Sequence, residues 1–349
     1  MSGTLPRLAC TAALAAQAVL VPAPAAAAPD PQRSVAQLLT DLQQLYRQAE
    51  QATESYDATA EKLQRQRAEV SRLDGELARA RLALQDGRTD AGRLARRQYQ
   101  SAGGLGPYVR LLLSPDPQTA LDEGHVVGEM AREQVRTVAR LTAAERHEDS
   151  LARAARKALD TRLTLAGRQR RQRDDVHTRL ADVERLLASL TPAQLAAITV
   201  LEQQGVTAAQ QQLVTAGALP TDRPASTGGD RAVHYAMGQL GKPYVWGAQG
   251  PDAYDCSGLT SQAWDHAGTP IPRTSQEQWR RLKRIPLGAL RPGDLVVYFP
   301  EATHVAMYVG DGKVVQAPRP GADVEVSPLA SAPVLGAVRP DQAPETEAR

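Results

Sequence analysis

Cys256 stands in the stretch DAYDCSGLTSQAWDHAG, residues 252–268, directly after Asp255. The chain holds 2 cysteines, and the other, Cys10, lies in an N-terminal stretch with the marks of an export signal. Exported proteins normally pair their cysteines, so a lone thiol is either an intermolecular link or a reactive group. Asp255 is a good helix N-cap, and Leu259, Ala263 and Ala267 repeat at helical spacing up to Gly268, a glycine stop. Cys256 therefore falls in a first helical turn. There the free amides and the positive end of the helix dipole favour thiolate over thiol and can stabilise an adjacent oxyanion. Free cysteines are also common as small buried hydrophobes. Position after a cap and isolation in an exported chain favour the nucleophile.

A thiol nucleophile works with a base. Of 6 histidines, His125, His147 and His177 lie in a helical region where exposed polar positions explain them. His234 sits in an amphipathic stretch, and His266 follows Cys256 on the same helix about 15 Å further along its axis, out of reach of the thiol. His304 opens HVAMYVGDGKVVQA, which reads as a hairpin turning at Gly310 to Gly312. Alternation puts His304, Ala306 and Tyr308 on one face. Gln316 on the return strand can fix the imidazole tautomer if the register turns it the same way.

Several elements must position these groups. DLVVYF (294–299), HVAMYV (304–309) and KVVQA (313–317) read as short strands of a compact α+β domain over residues 230–340. Before it, ALPTDRPASTGG has the composition of a flexible linker, expected over 217–229. Residues 31–216 are expected to be helical. Leu38, Leu42, Leu45, Ala49, Ala52, Tyr56, Thr59, Leu63, Gln66, Val70, Leu73, Leu77, Ala80 and Leu84 keep strict 4,3 spacing, the seam of a coiled coil. SAGGLGPYVRLLLSPDP breaks it near 101–117, and a second seam appears at Val176, Leu180, Val183, Leu187 and Leu190. An antiparallel all-α hairpin follows from this. The block RQRRQR, 168–173, reads as a solvated helix face in preference to a patch for anionic polymer. Arg7, the apolar run Leu8 to Val21 and the small residues Ala26 to Ala28 make residues 1–28 a signal peptide, too short in its apolar core to span a bilayer. Residues 341–349 read as a disordered tail. With 41 basic and 39 acidic residues, a net charge of +2 argues against a nucleic-acid partner.

Taken in order, Gly241-Lys242-Pro243-Tyr244-Val245-Trp246-Gly247, Asp255-Cys256-Ser257-Gly258-Leu259, Pro272-Arg273, Arg291-Pro292-Gly293-Asp294-Leu295, His304-Val305 and Val315-Gln316-Ala317-Pro318 carry a resemblance. Residues 231–340 resemble the NlpC/p60 family of cell-wall cysteine peptidases. The resemblance implies a papain-like α+β catalytic domain behind the coiled-coil hairpin, acting on peptidoglycan stem peptides, commonly after D-glutamate. It makes Cys256 the nucleophile, His304 the base and Gln316 the third polar residue. Tyr244 would lie beside the thiol, and Asp255 with Ser257 would hold the free amine of the stem peptide. Asp255 as a mere cap and Tyr244 and Trp246 as core aromatics are the competing readings. Arg273 and Asp294 are read as loop-holding residues outside the site. Gln316 stands where a histidine is common in the family, and Ala248 where a glycine is.

The resulting expectation is a secreted, cell-wall D,L-endopeptidase needing no metal or cofactor. A competing enzyme reading is an amidase or acyltransferase with the same Cys–His pair. A second class is a non-catalytic scaffold that binds wall peptide and recruits other hydrolases. Three roles suit the hairpin: covering the Cys256 cleft, docking on a membrane or divisome-type partner through SAGGLGPYVRLLL, or spacing.

Overall fold

The computed structural model describes residues 34–101, 109, 112, 113, 116–219 and 223–341. The expected signal peptide, most of the expected hairpin tip and nearly all of the expected tail lie outside the described residues.

Two long helices dominate the first half, α1 (Val35–Ser101) and α2 (Pro117–Ser189). Asp116 starts α2 by accepting from the backbone N–H groups of Gln118 and Thr119, with Pro117 in the first turn where its missing N–H costs nothing. The helices run antiparallel. Leu38 and Leu42 near the start of α1 pack with Val183 and Leu190 near the end of α2, while Val70, Leu73, Leu77 and Ala80 pack with Leu151 and Ala158. At about 1.5 Å per residue, α1 alone is a rod of roughly 100 Å. Its buried positions Leu38, Leu42, Ala49, Ala52, Thr59, Leu63, Val70, Leu73, Leu77, Ala80 and Leu84 fall on the 4,3 seam. Gln66, which interrupts that seam, donates to the carbonyl of Ala158 across the pair at 3.0 Å.

A third helix, α3 (Pro192–Thr215), begins with a reciprocal capping box between Thr191 and Gln194 and lies against the second half of the chain. Its Gln210 donates to the carbonyl of Gly312 and accepts from the N–H of Ala330, both at 3.0 Å. Glu202 pairs with Arg319 at 2.8 Å.

The second half is an α+β unit: α4 (Thr227–Met237), α5 (Cys256–His266) and α6 (Ser275–Arg281) precede a six-stranded antiparallel sheet. Its strands are β1 (Lys283–Ile285), β2 (Leu295–Tyr298), β3 (His304–Gly310), β4 (Lys313–Gln316), β5 (Glu325–Pro328) and β6 (Val334–Arg339), in the order β1-β6-β2-β3-β4-β5. Residues 227–229 of the expected linker are the first turn of α4, because Ser226 caps it by accepting from the N–H of Gly229. Both sheet faces are covered. Leu295, Val297, Val305, Met307 and Val315 pack on Ala236 of α4 and Leu259, Ala263 and Trp264 of α5. Val296, Tyr298, Ala306, Tyr308 and Val314 pack with Leu290 and Leu329, flanked by Leu213 of α3. Burial on two sides explains why the central strands read as continuous apolar runs.

Candidate active site

Asp255 caps α5 by accepting from the N–H of Gly258 at 2.6 Å, so Cys256 is the first helical residue. Gly258 allows the approach: a Cβ there would meet the carbonyl oxygen of Ala248 at 2.2 Å. The thiol is buried and free of any disulfide, and the backbone N–H of Val305 points at Sγ. That contact sets the start of α5 against the start of β3, where His304 stands.

His304 and Gln316 meet. In the β3–β4 register Met307 opposes Val315 and Tyr308 opposes Val314, which turns Gln316 to the His304 face. Oε1 of Gln316 lies 2.7 Å from Nε2 of His304, and its amide nitrogen donates to Ser327 Oγ at 2.6 Å. Since the amide nitrogen is engaged elsewhere, its carbonyl oxygen faces the ring, so Nε2 carries a proton and Nδ1 is left for other work.

Tyr244 is buried near Cys256, and burial followed by the charges of Cys256 and Asp255 pushes its phenol well above the usual range. Arg273 bonds both oxygens of Asp255, at 3.1 and 2.5 Å, and donates to Ser257 Oγ at 2.7 Å. Asp255 is thus both a helix cap and one half of a buried bidentate pair. Arg273 belongs with these residues, whereas Asp294 holds a loop, accepting from the N–H of Arg291 and from Arg339. His266 is at the far end of α5, stacked on Tyr235 with ring centroids 4.0 Å apart.

Three further residues come from α1, and sequence reading alone does not find them. Glu54 Oε1 accepts from Ser257 Oγ at 2.8 Å and from the Cys256 thiol at 3.8 Å, while Oε2 accepts from the N–H of Ser275 at 2.8 Å. Glu50 Oε1 lies 3.3 Å from His304 Nδ1, an ion-pair distance, and Nδ1 has no hydrogen-bond partner. Asp57 Oδ2 lies 3.3 Å from Arg273. All three are buried on a face of α1 beside its seam, at the i, i+4, i+7 spacing of a second helical stripe. In sequence such a stripe looks like the solvated flank of a coiled coil.

These carboxylates change the electrostatics of the site. Burial pushes Glu54 up to about 7, reinforced by Asp255, with Arg273 opposing. Burial likewise pushes Asp57 up to about 8, again against Arg273. Burial alone would lower the His304 imidazole, but the Glu50 carboxylate and the Gln316 hydrogen bond raise it. The Cys256 thiol is held well above its ordinary value by burial, then by Glu54, Asp255 and Glu50, with the Val305 N–H only partly offsetting them. The expectation that the helix start would favour thiolate is therefore reversed here: burial and three carboxylates outweigh one helix dipole in a desolvated cleft.

Among the described residues no cluster of three or more His, Cys, Asp or Glu groups has metal-holding geometry, and no helix is long and apolar enough to cross a membrane.

Residues 241–336 match the family described as NlpC/P60. A probable endopeptidase of Corynebacterium glutamicum is 41% identical over 116 residues, covering 33% of this chain and 56% of that protein. A peptidoglycan endopeptidase, RipA, of Mycolicibacterium smegmatis is 36% identical over 137 residues, covering 32% of this chain and 28% of that protein. The matched part of the chain thus spans well under two thirds of these relatives. The crystal structure of the NlpC/p60 domain of the peptidoglycan hydrolase SagA is 31% identical with a TM-score of 0.30, covering 32% of this chain and 97% of that one.

Proposed function

The C-terminal domain belongs to the NlpC/P60 family, and from that premise we propose that the chain is a secreted peptidoglycan hydrolase, a D,L-endopeptidase cutting stem peptides between D-glutamate and the diamino acid. Cys256 is the nucleophile, His304 the base, and Gln316 the residue that holds the imidazole. The observation that carries the reading is the 2.7 Å contact of Gln316 Oε1 with His304 Nε2. It leaves Nδ1 as the ring nitrogen able to take a proton.

Nδ1 accepts the thiol proton as Sγ attacks the scissile carbonyl. A C–S bond forms, and the carbonyl oxygen becomes an oxyanion facing the free amides of the first turn of α5. Collapse breaks the C–N bond, and the imidazolium gives its proton to the leaving amine. Water, deprotonated by the same imidazole, then cleaves the acyl-thiol ester and restores Cys256. No step requires a metal or cofactor. Tyr244 and Ser257 border the thiol and contact the substrate. Asp255 contributes to amine recognition through the charge it shares with Arg273. The coiled coil serves regulation or docking on a partner.

The test is mass spectrometry of defined stem peptides incubated with the chain carrying Glu54→Lys, which takes the carboxylate off the thiol, and with the same chain carrying Cys256→Ala as well. The expected result is a new fragment cut after D-glutamate, absent when Cys256 is replaced. A folded chain whose thiol alkylates readily yet cuts no stem peptide would overturn the reading in favour of an amidase, acyltransferase or scaffold.

A further inference from the structure

We propose that α1 is a built-in plug of the Cys256 cleft, and that the chain as folded is latent until the face carrying Glu50, Glu54 and Asp57 leaves that cleft. The inference rests on the hydrolase reading above and names how that site is controlled.

A helix that only spaced two domains would present solvated residues to its neighbours. Around residues 50–57, α1 is buried on two sides. Ala49, Ala52 and Thr59 belong to the seam, while Glu50, Glu54 and Asp57 face the second half of the chain. The second stripe lands on the groups that do chemistry. Glu54 takes the thiol of Cys256, the hydroxyl of Ser257 and the N–H of Ser275. Glu50 stands at the ring nitrogen a general base would use. With a carboxylate oxygen 3.8 Å from Sγ, the space that a scissile carbonyl must enter is already filled.

Contacts around the plug hold it without sealing it. Tyr56 and His177 set their edges on Trp246, with ring centroids 5.0 and 5.5 Å apart. Tyr46 lies under Arg319 at 5.1 Å. Yet Glu50 Oε2, Asp57 Oδ2 and His304 Nδ1 are buried without a hydrogen-bond partner. Charge alone holds the plug at two of these points, Asp57 against Arg273 and Glu50 against His304, each at 3.3 Å, so the contact is looser there than a hydrogen-bonded interface and can reopen. Release is a swing, not a dissociation, because Gln210 of α3 ties the hairpin base to Gly312 and Ala330 on the other side of the sheet.

The test compares the wild-type chain with one carrying Glu50→Lys, Glu54→Lys and Asp57→Lys, which sets lysines against Arg273 and His304 but leaves the coiled-coil seam untouched. Alkylation of Cys256 by iodoacetamide, read by intact mass, is expected to quicken about tenfold or more, with helical circular dichroism retained. Trp246→Ala, which removes the rim contact without touching the acids, is expected to quicken it by a smaller factor. Two folded variants alkylating at the wild-type rate would overturn the plug. Equal stem-peptide cleavage by wild type and triple variant would overturn it too, while supporting the hydrolase reading. Faster alkylation with no cleavage would leave the plug standing and reject the peptidase.

Discussion

Glu50 Oε1 stands 3.3 Å from Nδ1 of His304, the one ring nitrogen that Gln316 does not engage. The imidazole is therefore held from both ends, once by a residue of its own sheet and once by a residue 254 positions earlier in the chain (304 − 50). The first contact fixes the ring tautomer, and the second sets a carboxylate in front of the nitrogen that the first leaves open.

Closure of the cleft should weaken as pH rises. Seated in the cleft, Glu54 lies up at about 7 and Asp57 up at about 8, and His304 is raised as well. Asp255, Cys256, Arg273, Tyr244 and Glu50 are the charged or titratable groups around them. A group whose value is raised by seating binds a proton on closure. Its contribution is complete below its ordinary value and is lost as pH climbs through the seated one. All three groups act in the same sense. The cleavage rate of wild type divided by that of the triple lysine variant should therefore rise about tenfold or more between pH 5.5 and 8.5. A flat or falling ratio would contradict this.

Gln316→Leu, made in the opened triple variant, should lower kcat by about 10- to 100-fold with little change in KM, less than the roughly 10²–10⁴ a general base itself supplies. Gln316 stabilises the charged imidazole, so its loss should also move the acidic limb of the rate profile to lower pH. Gln316→His restores a partner for Nε2 and should recover most of kcat. A uniform loss in both variants with no movement of the limb would make Gln316 a packing residue.

How legible the site was depends on where each signal resides. Cys256 was visible through local physics alone, a cap followed by helical spacing. His304 and Gln316 were visible as strand residues, but their meeting needed the β3–β4 register, which a turn of Gly310, Asp311 and Gly312 does not fix by itself. The coiled-coil seam was legible because its period is carried by apolar residues. The acids Glu50, Glu54 and Asp57 carry no such signal, since a carboxylate beside a seam has the same appearance whether it meets water or a thiol. From its sequence context Arg273 reads as a loop-holding residue outside the site. It does hold a loop, but the group it holds is Asp255, directly before Cys256.

Gly258→Ala should be strongly destabilising although alanine is the better helix former. Its Cβ would sit 2.2 Å from the carbonyl oxygen of Ala248 and 2.8 Å from Oδ1 of Asp255, so backbone must shift at the turn that caps α5. Overpacking of this kind costs about 1–3 kcal/mol. Chemical denaturation should show a lower midpoint, and surviving folded protein should alkylate Cys256 with altered kinetics. A wild-type midpoint would mean the loop around Ala248 yields freely.

Arg273→Ala should be more damaging than removal of either partner. Arg273 faces Asp255 at 2.5 Å and Asp57 at 3.3 Å, all three side chains being buried. Deleting the cation strands two carboxylates in a desolvated site, and breaking such a pair from one side costs about 3–5 kcal/mol. Asp57 can escape by letting the hairpin swing out, whereas Asp255 cannot, because it caps α5. Arg273→Ala should therefore lower the midpoint of the C-terminal domain and at the same time speed alkylation of Cys256. Arg273→Lys keeps the charge but not the two-pronged geometry, so it should recover stability only in part. Removing Asp255 together with Arg273 should cost less than the two single losses added, and the size of that difference in a double-mutant cycle measures how tightly the start of α5 is pinned.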